Sequence, residues 1–280
     1  AQAYPSPTRY EVCFHSLGIA RIVMCMASVE PSLDRSKTLI FVRHGESEYN
    51  KAMSETGKDP LIRDAPLTAV GRGQAEAASQ VLEQLRQDIA SRAPERAAMP
   101  WLLLSSPLRR ALDTAARVWP EVFSQSEAAL ADAHLEVWAE LREMITGCDD
   151  LGSGQPELLA CYPHLSSQLA NLPEVWWTVP GDLRHLPAHG EAMREAYIKD
   201  PDAFEDADDE MIEQRLQGLI AKLAAVPEEY IVVVAHCDLI GRLTEKLGLA
   251  ETKGERVRPG WWLRNCECRV LESYRFLACG

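Results

Sequence analysis

The chain has 280 residues, 46% hydrophobic and 25% charged, the make-up of an average folded protein with a sizeable core. That excludes wholesale disorder, a collagen-like rod and a disulfide-stapled miniprotein. Lys and Arg number 29 against 42 Asp and Glu, a formal net charge of −13, which opposes a general affinity for nucleic acid or an anionic membrane; any anion site must be a local basic pocket.

The first apolar stretch, Leu17 to Val29, is interrupted by Arg21 and falls short of the roughly 20 residues a membrane span needs. The same arginine argues against a secretory signal. Residues 1–35 read as a leader or a poorly ordered N-terminal extension, with organellar targeting left open, and residues 36–280 as one domain. Cysteines at 13, 25, 148, 161, 237, 266, 268 and 279 include no CxxC pair, the pattern of reduced thiols in a cytoplasmic protein. Alternation along a strand would put Cys266 and Cys268 on one face, as small apolar residues.

In chain order, Thr38 to Val42 is a β-branched and aromatic run that ends at Arg43-His44-Gly45, a buried strand feeding a loop. Ala75, Ala78, Leu82, Leu85 and Ile89 follow at helical spacing. Trp101 to Leu104 reads as a second strand, before Ser105-Ser106-Pro107, and Leu135 to Leu141 as a weaker one. From Gly147 to Asp209 the pattern fades, Gly and Pro are frequent, and an irregular insertion is expected. Its end, Asp200 to Glu210, holds seven acids and no base but lacks the alternating ligands and central glycine of a calcium loop. Ile212, Leu216, Leu219, Ile220 and Leu223 define another helix. Tyr230 to Ala235 is the strongest strand and ends at His236; Cys268 to Tyr274 is a weak one. Alternating strands and helices predict an α/β fold: a single domain with a mostly parallel sheet and helices on both faces. Ligands bind such sheets beyond the carboxyl ends of the strands, so Arg43-His44, Ser105 to Arg110 and His236 should face one crevice.

Two histidines and two arginines in one crevice of an acidic protein call for an anion, and the planar fork of arginine suits phosphoryl oxygens. Neutral imidazole is also a competent nucleophile. Arg43-His44-Gly45-Glu46-Ser47 directly after a strand resembles the RHG motif of the histidine phosphatase superfamily, also called the phosphoglycerate mutase-like family. Further markers follow in order. Leu67-Thr68-Ala69-Val70-Gly71-Arg72-Gly73-Gln74-Ala75 is similar to the family's L-T-x-x-G-x-x-Q-A. Ser105 to Ala115 is similar to its S-x-L-x-R-A-x-x-T-A, Leu141-Arg142-Glu143 to its L-x-E, and Val233-Val234-Ala235-His236 to the strand that delivers the second histidine. The markers span about three quarters of the chain.

The resemblance implies that His44 attacks phosphorus and becomes phosphorylated. Arg43, Arg110 and His236 would surround the transferred group and stabilise charge on its oxygens. Glu143 would protonate the leaving oxygen and then activate water, with a pKa raised by burial. Asn50 and Ser47 would make secondary phosphate or substrate contacts. Neither a metal nor a cofactor is implied. Arg110 is preferred to Arg109 because it directly precedes the marker's alanine, and Glu143 to Glu140 for its place in Leu-x-Glu.

Departures from the family narrow the reading. A glycolytic mutase has basic residues after its acid, whereas Met144 to Asp150 contains none. The missing carboxylate contacts favour a phosphatase of a small phosphorylated metabolite over a mutase. A non-catalytic phospholigand binder is a third reading, which the full set of His44, Glu143 and His236 opposes. Cys237 stands where glycine often follows the second histidine, as a neutral replacement or as a thiol of lowered pKa beside the cations. His185 and His189 have metal-ligand spacing but flank Pro187, which disfavours a helix there. Trp176-Trp177 and Trp261-Trp262 either pack in the core or line the substrate side. The oligomeric state is left open.

Overall fold

In a computed structural model, which describes residues 12–14, 20–23, 36–94, 99–123, 133–177, 191–204, 209–253 and 256–276, the strongest apolar runs stand side by side as strands. In chain order these are β1 (Val12–Phe14), β2 (Ala20–Val23), β3 (Lys37–Arg43), β4 (Trp101–Ser105), β5 (Ala133–Val137), β6 (Tyr230–Ala235), β7 (Ala250–Lys253), β8 (Arg256–Pro259) and β9 (Cys268–Tyr274). One sheet has the order β1-β2-β9-β3-β6-β4-β5, and β7 and β8 form a separate hairpin. β3, β6, β4 and β5 run parallel; β9 is antiparallel to β3 and parallel to β2.

Alternation along the central strands splits the apolar residues between two faces. Ile40, Val42, Leu103, Val232 and Val234 pack with Ala75, Ala78, Leu82 and Leu85 of α2 (Ala69–Arg92) and with Ala111, Leu112 and Ala115 of α3 (Arg109–Val118). Leu39, Phe41, Leu102, Leu104, Ile231 and Val233 face Leu216, Leu219 and Leu223 of the long helix Asp209–Ala225 and Leu239, Ile240 and Leu243 of the helix Cys237–Lys246. Each such side chain, taken fully out of water, contributes about 1.5–3 kcal/mol before entropy is counted. The mostly parallel sheet with helices on both faces follows from that two-sided burial.

One expected strand has different limits, and one expected pair of thiols is split. The run from Leu135 leaves the sheet after Val137, since its partner β4 ends opposite it at Ser105. Trp138 N donates to Ser105 O at 3.0 Å, and Ala139–Leu141 coil into a 3-10 turn. At β9 the strand begins at Cys268; Cys266 has a φ of 54°, so the two thiols do not share a strand face.

Among the described residues, the stretch from Gly147 to Asp209 contains short helices: α4 (Pro120–Phe123) precedes it, and α5 (Gln155–Cys161), α6 (Ser166–Leu169) and α7 (Glu191–Lys199) lie within it. Elements that short do not display a helical period. Leu158, Leu165, Trp176, Met193, Tyr197 and Phe204 nevertheless join the core on the α2 and α3 face. The helix Asp209–Ala225 is α8 and Cys237–Lys246 is α9; α1 (Glu48–Thr56) follows the first loop. Asp200 and Asp202 are exposed, and residues 205–208 lie outside the described residues. Among the described residues no helix is long and apolar enough to cross a membrane.

Candidate active site

Register brings the candidate residues together. Arg43 pairs with Ala235 across β3 and β6, and Ser105 pairs with Val234 across β4 and β6. Past these pairs the backbone adds two bonds, His44 N to Ala235 O at 2.9 Å and Ser106 N to Val234 O at 3.1 Å. His44, Ser106 and His236 thus emerge next to one another at the carboxyl end of the sheet. The rings of His44 and His236 lie 5.0 Å apart, and the residues are 3% and 0% exposed.

Each ring has a defined partner. His44 Nδ1 lies 2.7 Å from Gly45 O; a carbonyl only accepts, so Nδ1 carries the hydrogen and Nε2 keeps its lone pair. His236 Nε2 lies 2.8 Å from Ser106 Oγ, while its Nδ1 is buried with no partner. Burial, reinforced by the nearby Arg110, holds both imidazoles well below their usual pKa, with Arg43 adding to the effect. They are therefore neutral at pH 7, as a nucleophilic imidazole must be.

The loop bearing His44 is clamped by the two markers that follow it. Thr114 Oγ1 accepts Gly45 N at 3.0 Å and donates to Arg110 O at 2.7 Å. Thr68 caps α2 by accepting Gly71 N at 2.9 Å, and its hydroxyl donates to Glu46 Oε1 at 2.7 Å. Gln74 Oε1 accepts Glu46 N at 2.9 Å. Gly45 and Gly71 make the approach possible: a Cβ on Gly45 would sit 2.4 Å from Gly71 O, and one on Gly71 would sit 2.0 Å from Glu46 O. The threonines, glycines and glutamine of these markers hold the loop that bears His44.

Arg110 and Arg109 part company at the start of α3. Arg110 is 2% exposed and is the leading Coulombic neighbour of both histidines. Arg109 turns toward Asp64 and Tyr162, and its backbone N donates to Asp64 Oδ1 at 2.9 Å. Arg43 donates through Nη1 to Leu263 O at 3.0 Å, and its Nε, like that of Arg110, is buried without a partner.

Glu143 sits against the N-terminus of α9. Its Oε2 accepts Asp238 N at 3.1 Å, and its Oε1 accepts Leu239 N at 2.9 Å and Met144 N at 3.0 Å. Those bonds favour the carboxylate, yet burial, with Asp150 and Asp238 nearby, outweighs them and pushes the pKa up to about 7. Glu140 points away: it is exposed, 3.3 Å from Lys222 Nζ.

Ser47 and Asn50, expected as substrate contacts, form the capping box of α1. Ser47 Oγ accepts Asn50 N at 3.2 Å and Asn50 Oδ1 accepts Ser47 N at 3.3 Å. Asn265 Nδ2 joins Asn50 Oδ1 to His44 O, at 3.1 Å each. At Cys237 burial pushes the thiol's pKa up and overrides Arg43, which corrects the reading of a thiol lowered by the cations. Trp176, Trp177 and Trp261 are core residues, while Trp262 lies 3.7 Å beneath the guanidinium of Arg258. His185 and His189 lie outside the described residues. Among those described, no three His, Cys, Asp or Glu side chains converge as a metal site.

Sequence reasoning missed Asp149 and Asp150, both 4% exposed and both bonded to Arg110. It read them only as an absence of bases after Glu143. It also left Ser106 and Thr114 without roles, although both belong to a quoted marker.

Comparison with known proteins adds a family. A model of the histidine phosphatase superfamily, branch 1, matches residues 39–275. Glucosyl-3-phosphoglycerate phosphatase of Mycobacterium tuberculosis is 31% identical over 121 residues, 42% of this chain and 47% of that protein. Its namesake in Mycolicibacterium vanbaalenii is 41% identical over 81 residues, 29% of this chain and 28% of that protein. The chain thus spans about half the length, or less, of the curated relatives it matches. Among solved structures, a phosphoglycerate mutase from Bacillus anthracis is similar with a TM-score of 0.46 and 20% identity, over 87% of this chain and 92% of that one.

Proposed function

Because this chain belongs to the histidine phosphatase superfamily, we propose that it hydrolyses phosphomonoesters of small metabolites through a phosphohistidine on His44. The observation that carries this reading is a set of buried donors without protein partners, Arg43 Nε, Arg110 Nε and His236 Nδ1. They belong to the very residues that bear electrostatically on one another and on His44. A phosphoryl group offers acceptors to all of them, and charge-assisted bonds of that kind stabilise its equatorial oxygens in the transition state.

The chemistry runs in two halves. His44 Nε2 attacks phosphorus, the P–O ester bond breaks, and the leaving oxygen takes the proton of Glu143. Water then attacks phosphorus, the P–N bond breaks, Glu143 takes a proton from the water, and phosphate departs from neutral His44. A pKa of about 7 suits a group that must first give and then receive a proton near neutral pH. The scheme assigns every role to a protein side chain and uses no metal. Release to water rather than return to substrate is supported by the acidic segment after Glu143 and by the phosphatase names of the curated relatives. Residues 147–209 would shape specificity, and the scattered cysteines support a reducing, cytoplasmic setting.

The test is phosphate release from a panel of phosphomonoesters, with chelator present, by wild type and His44→Ala. The variant is expected to lose about 10³-fold or more, and wild type alone should yield an acid-labile, base-stable phosphoprotein on quenching. Comparable turnover by His44→Ala, or an isomerised ester in place of free phosphate, would overturn the reading.

A further inference from the structure

Arg110 is held by residues that no marker includes. A guanidinium has five N–H donors. Nη1 donates to the backbone O of Asp149 at 2.6 Å and lies 3.2 Å from its Oδ2 in an ion pair, and Nη2 donates to Asp150 Oδ1 at 2.7 Å. Nε is buried with no partner. Asp150 is itself fixed: its other oxygen accepts Thr146 N at 2.9 Å, Gly147 N at 3.1 Å and the Thr146 hydroxyl at 3.3 Å. A Cβ on Gly147 would come within 2.7 Å of Asp149 Oδ1, so a glycine there lets the turn close over the pair.

A contact made only for stability would be a poor use of these groups, since a buried ion pair seldom outperforms apolar packing. Two ionised carboxylates would also cancel more charge than Arg110 carries. Burial and the neighbouring Asp150 hold Asp149 well above the usual carboxylate range, which lessens the negative charge set against Arg110. The lasting effect is geometric.

We propose that Asp150, with Asp149 beside it, is the positioning residue of this site: it fixes the plane of Arg110 so that the Nε edge faces the phosphoryl group. The same carboxylate ties that arginine to the loop bearing Glu143. The proposal rests on the phosphoryl-transfer reading above, and Asp149 and Asp150 act through Arg110 without touching substrate.

The test is a double-mutant cycle on the full chain, with orthovanadate as the phosphoryl mimic. Its affinity is measured by calorimetry, and kcat and KM on the best phosphomonoester. Asp150→Asn should weaken vanadate and lower kcat by about 10²-fold each, the loss expected for a misplaced catalytic group, and Asp149→Asn by about tenfold. In an Arg110→Ala background either change should cost less than about twofold, because the residue it acts through is gone. Asp149→Asn removes no bond to Thr146 or Gly147 and runs the cycle alone should Asp150→Asn not fold. Equal losses in both backgrounds, or wild-type vanadate affinity in the folded aspartate variants, would overturn the proposal. Activity that survives His44→Ala would instead overturn the phosphohistidine reading, and the vanadate cycle would still report on the clamp.

Discussion

The histidines and the acids of the crevice are held in opposite ways. His44 and His236 extend neighbouring parallel strands, and the register of β3 with β6 brings their backbones side by side. Glu143, Asp149 and Asp150 come from the irregular segment after β5; carboxylate bonds to backbone N–H groups of α9 and of the 146–147 turn hold Glu143 and Asp150, and the ion pair with Arg110 holds Asp149. The position of His44 is thus a property of the sheet, whereas the acids near it belong to a loop. Changes in the loop should alter chemistry and leave the fold intact; changes where the His44 loop meets α2 should destabilise the fold.

The largest expected effect tests the loop. Glu143→Gln should lower kcat/KM by about 10³-fold, at the scale of a lost general acid, with little change in melting temperature. The acid works protonated and its pKa is about 7, so wild-type kcat/KM should fall as pH rises through about 7, and that limb should vanish in the variant. Glu140→Gln should leave both the rate and the limb unchanged. A pH–rate profile of phosphate release for the three proteins checks this, and equal losses would show that the wrong carboxyl group has been chosen.

The opposite arm of the comparison tests the clamp. Gly71→Ala places a methyl group 2.0 Å from Glu46 O, and forced backbone shifts of that kind cost about 1–3 kcal/mol. Thermal denaturation should show a drop of roughly 2–12 °C, given about 2–4 °C per kcal/mol in a chain of this size. Gly73→Ala, two residues on in the same helix with nothing within 4 Å of its Cβ, should match or slightly exceed wild type. A Gly71→Ala protein as stable as Gly73→Ala would mean the loop and α2 do not meet as described.

The same division explains what could be read from the sequence. β3, β4 and β6 announce themselves as apolar runs ending at Arg43-His44, Ser105-Ser106 and His236, so the sheet and the crevice at its carboxyl end were legible. Glu143 was singled out through a marker alone. Asp149 and Asp150 were not legible, because a buried acid carries no hydropathic signal and its partner lies some 40 residues away in sequence. Ser47 and Asn50 mark a different gap: a serine with a bonding side chain three residues on, at the start of a helix, is itself a capping signature. Cys237 shows that proximity to cations does not decide a pKa where burial works against it.

The smallest effect probes whether strand register alone suffices for His236. Ser106 Oγ accepts Leu108 N at 3.3 Å and keeps one hydrogen, which it can donate to His236 Nε2 at 2.8 Å. Nδ1 then bears the ring's hydrogen and can donate it to a phosphoryl oxygen; in the other tautomer a lone pair would face the anion instead. Ser106→Ala removes the group that selects the tautomer and should reduce kcat/KM about tenfold, the worth of roughly one hydrogen bond, ~1.4 kcal/mol. Nitrogen-15 NMR of the imidazole should show His236 protonated at Nδ1 in wild type and mixed in the variant. An unchanged nitrogen spectrum together with a tenfold loss would put the serine's role elsewhere. A changed spectrum would show that even the strand-borne half of the site depends on a side chain from the neighbouring strand's end to finish what register begins.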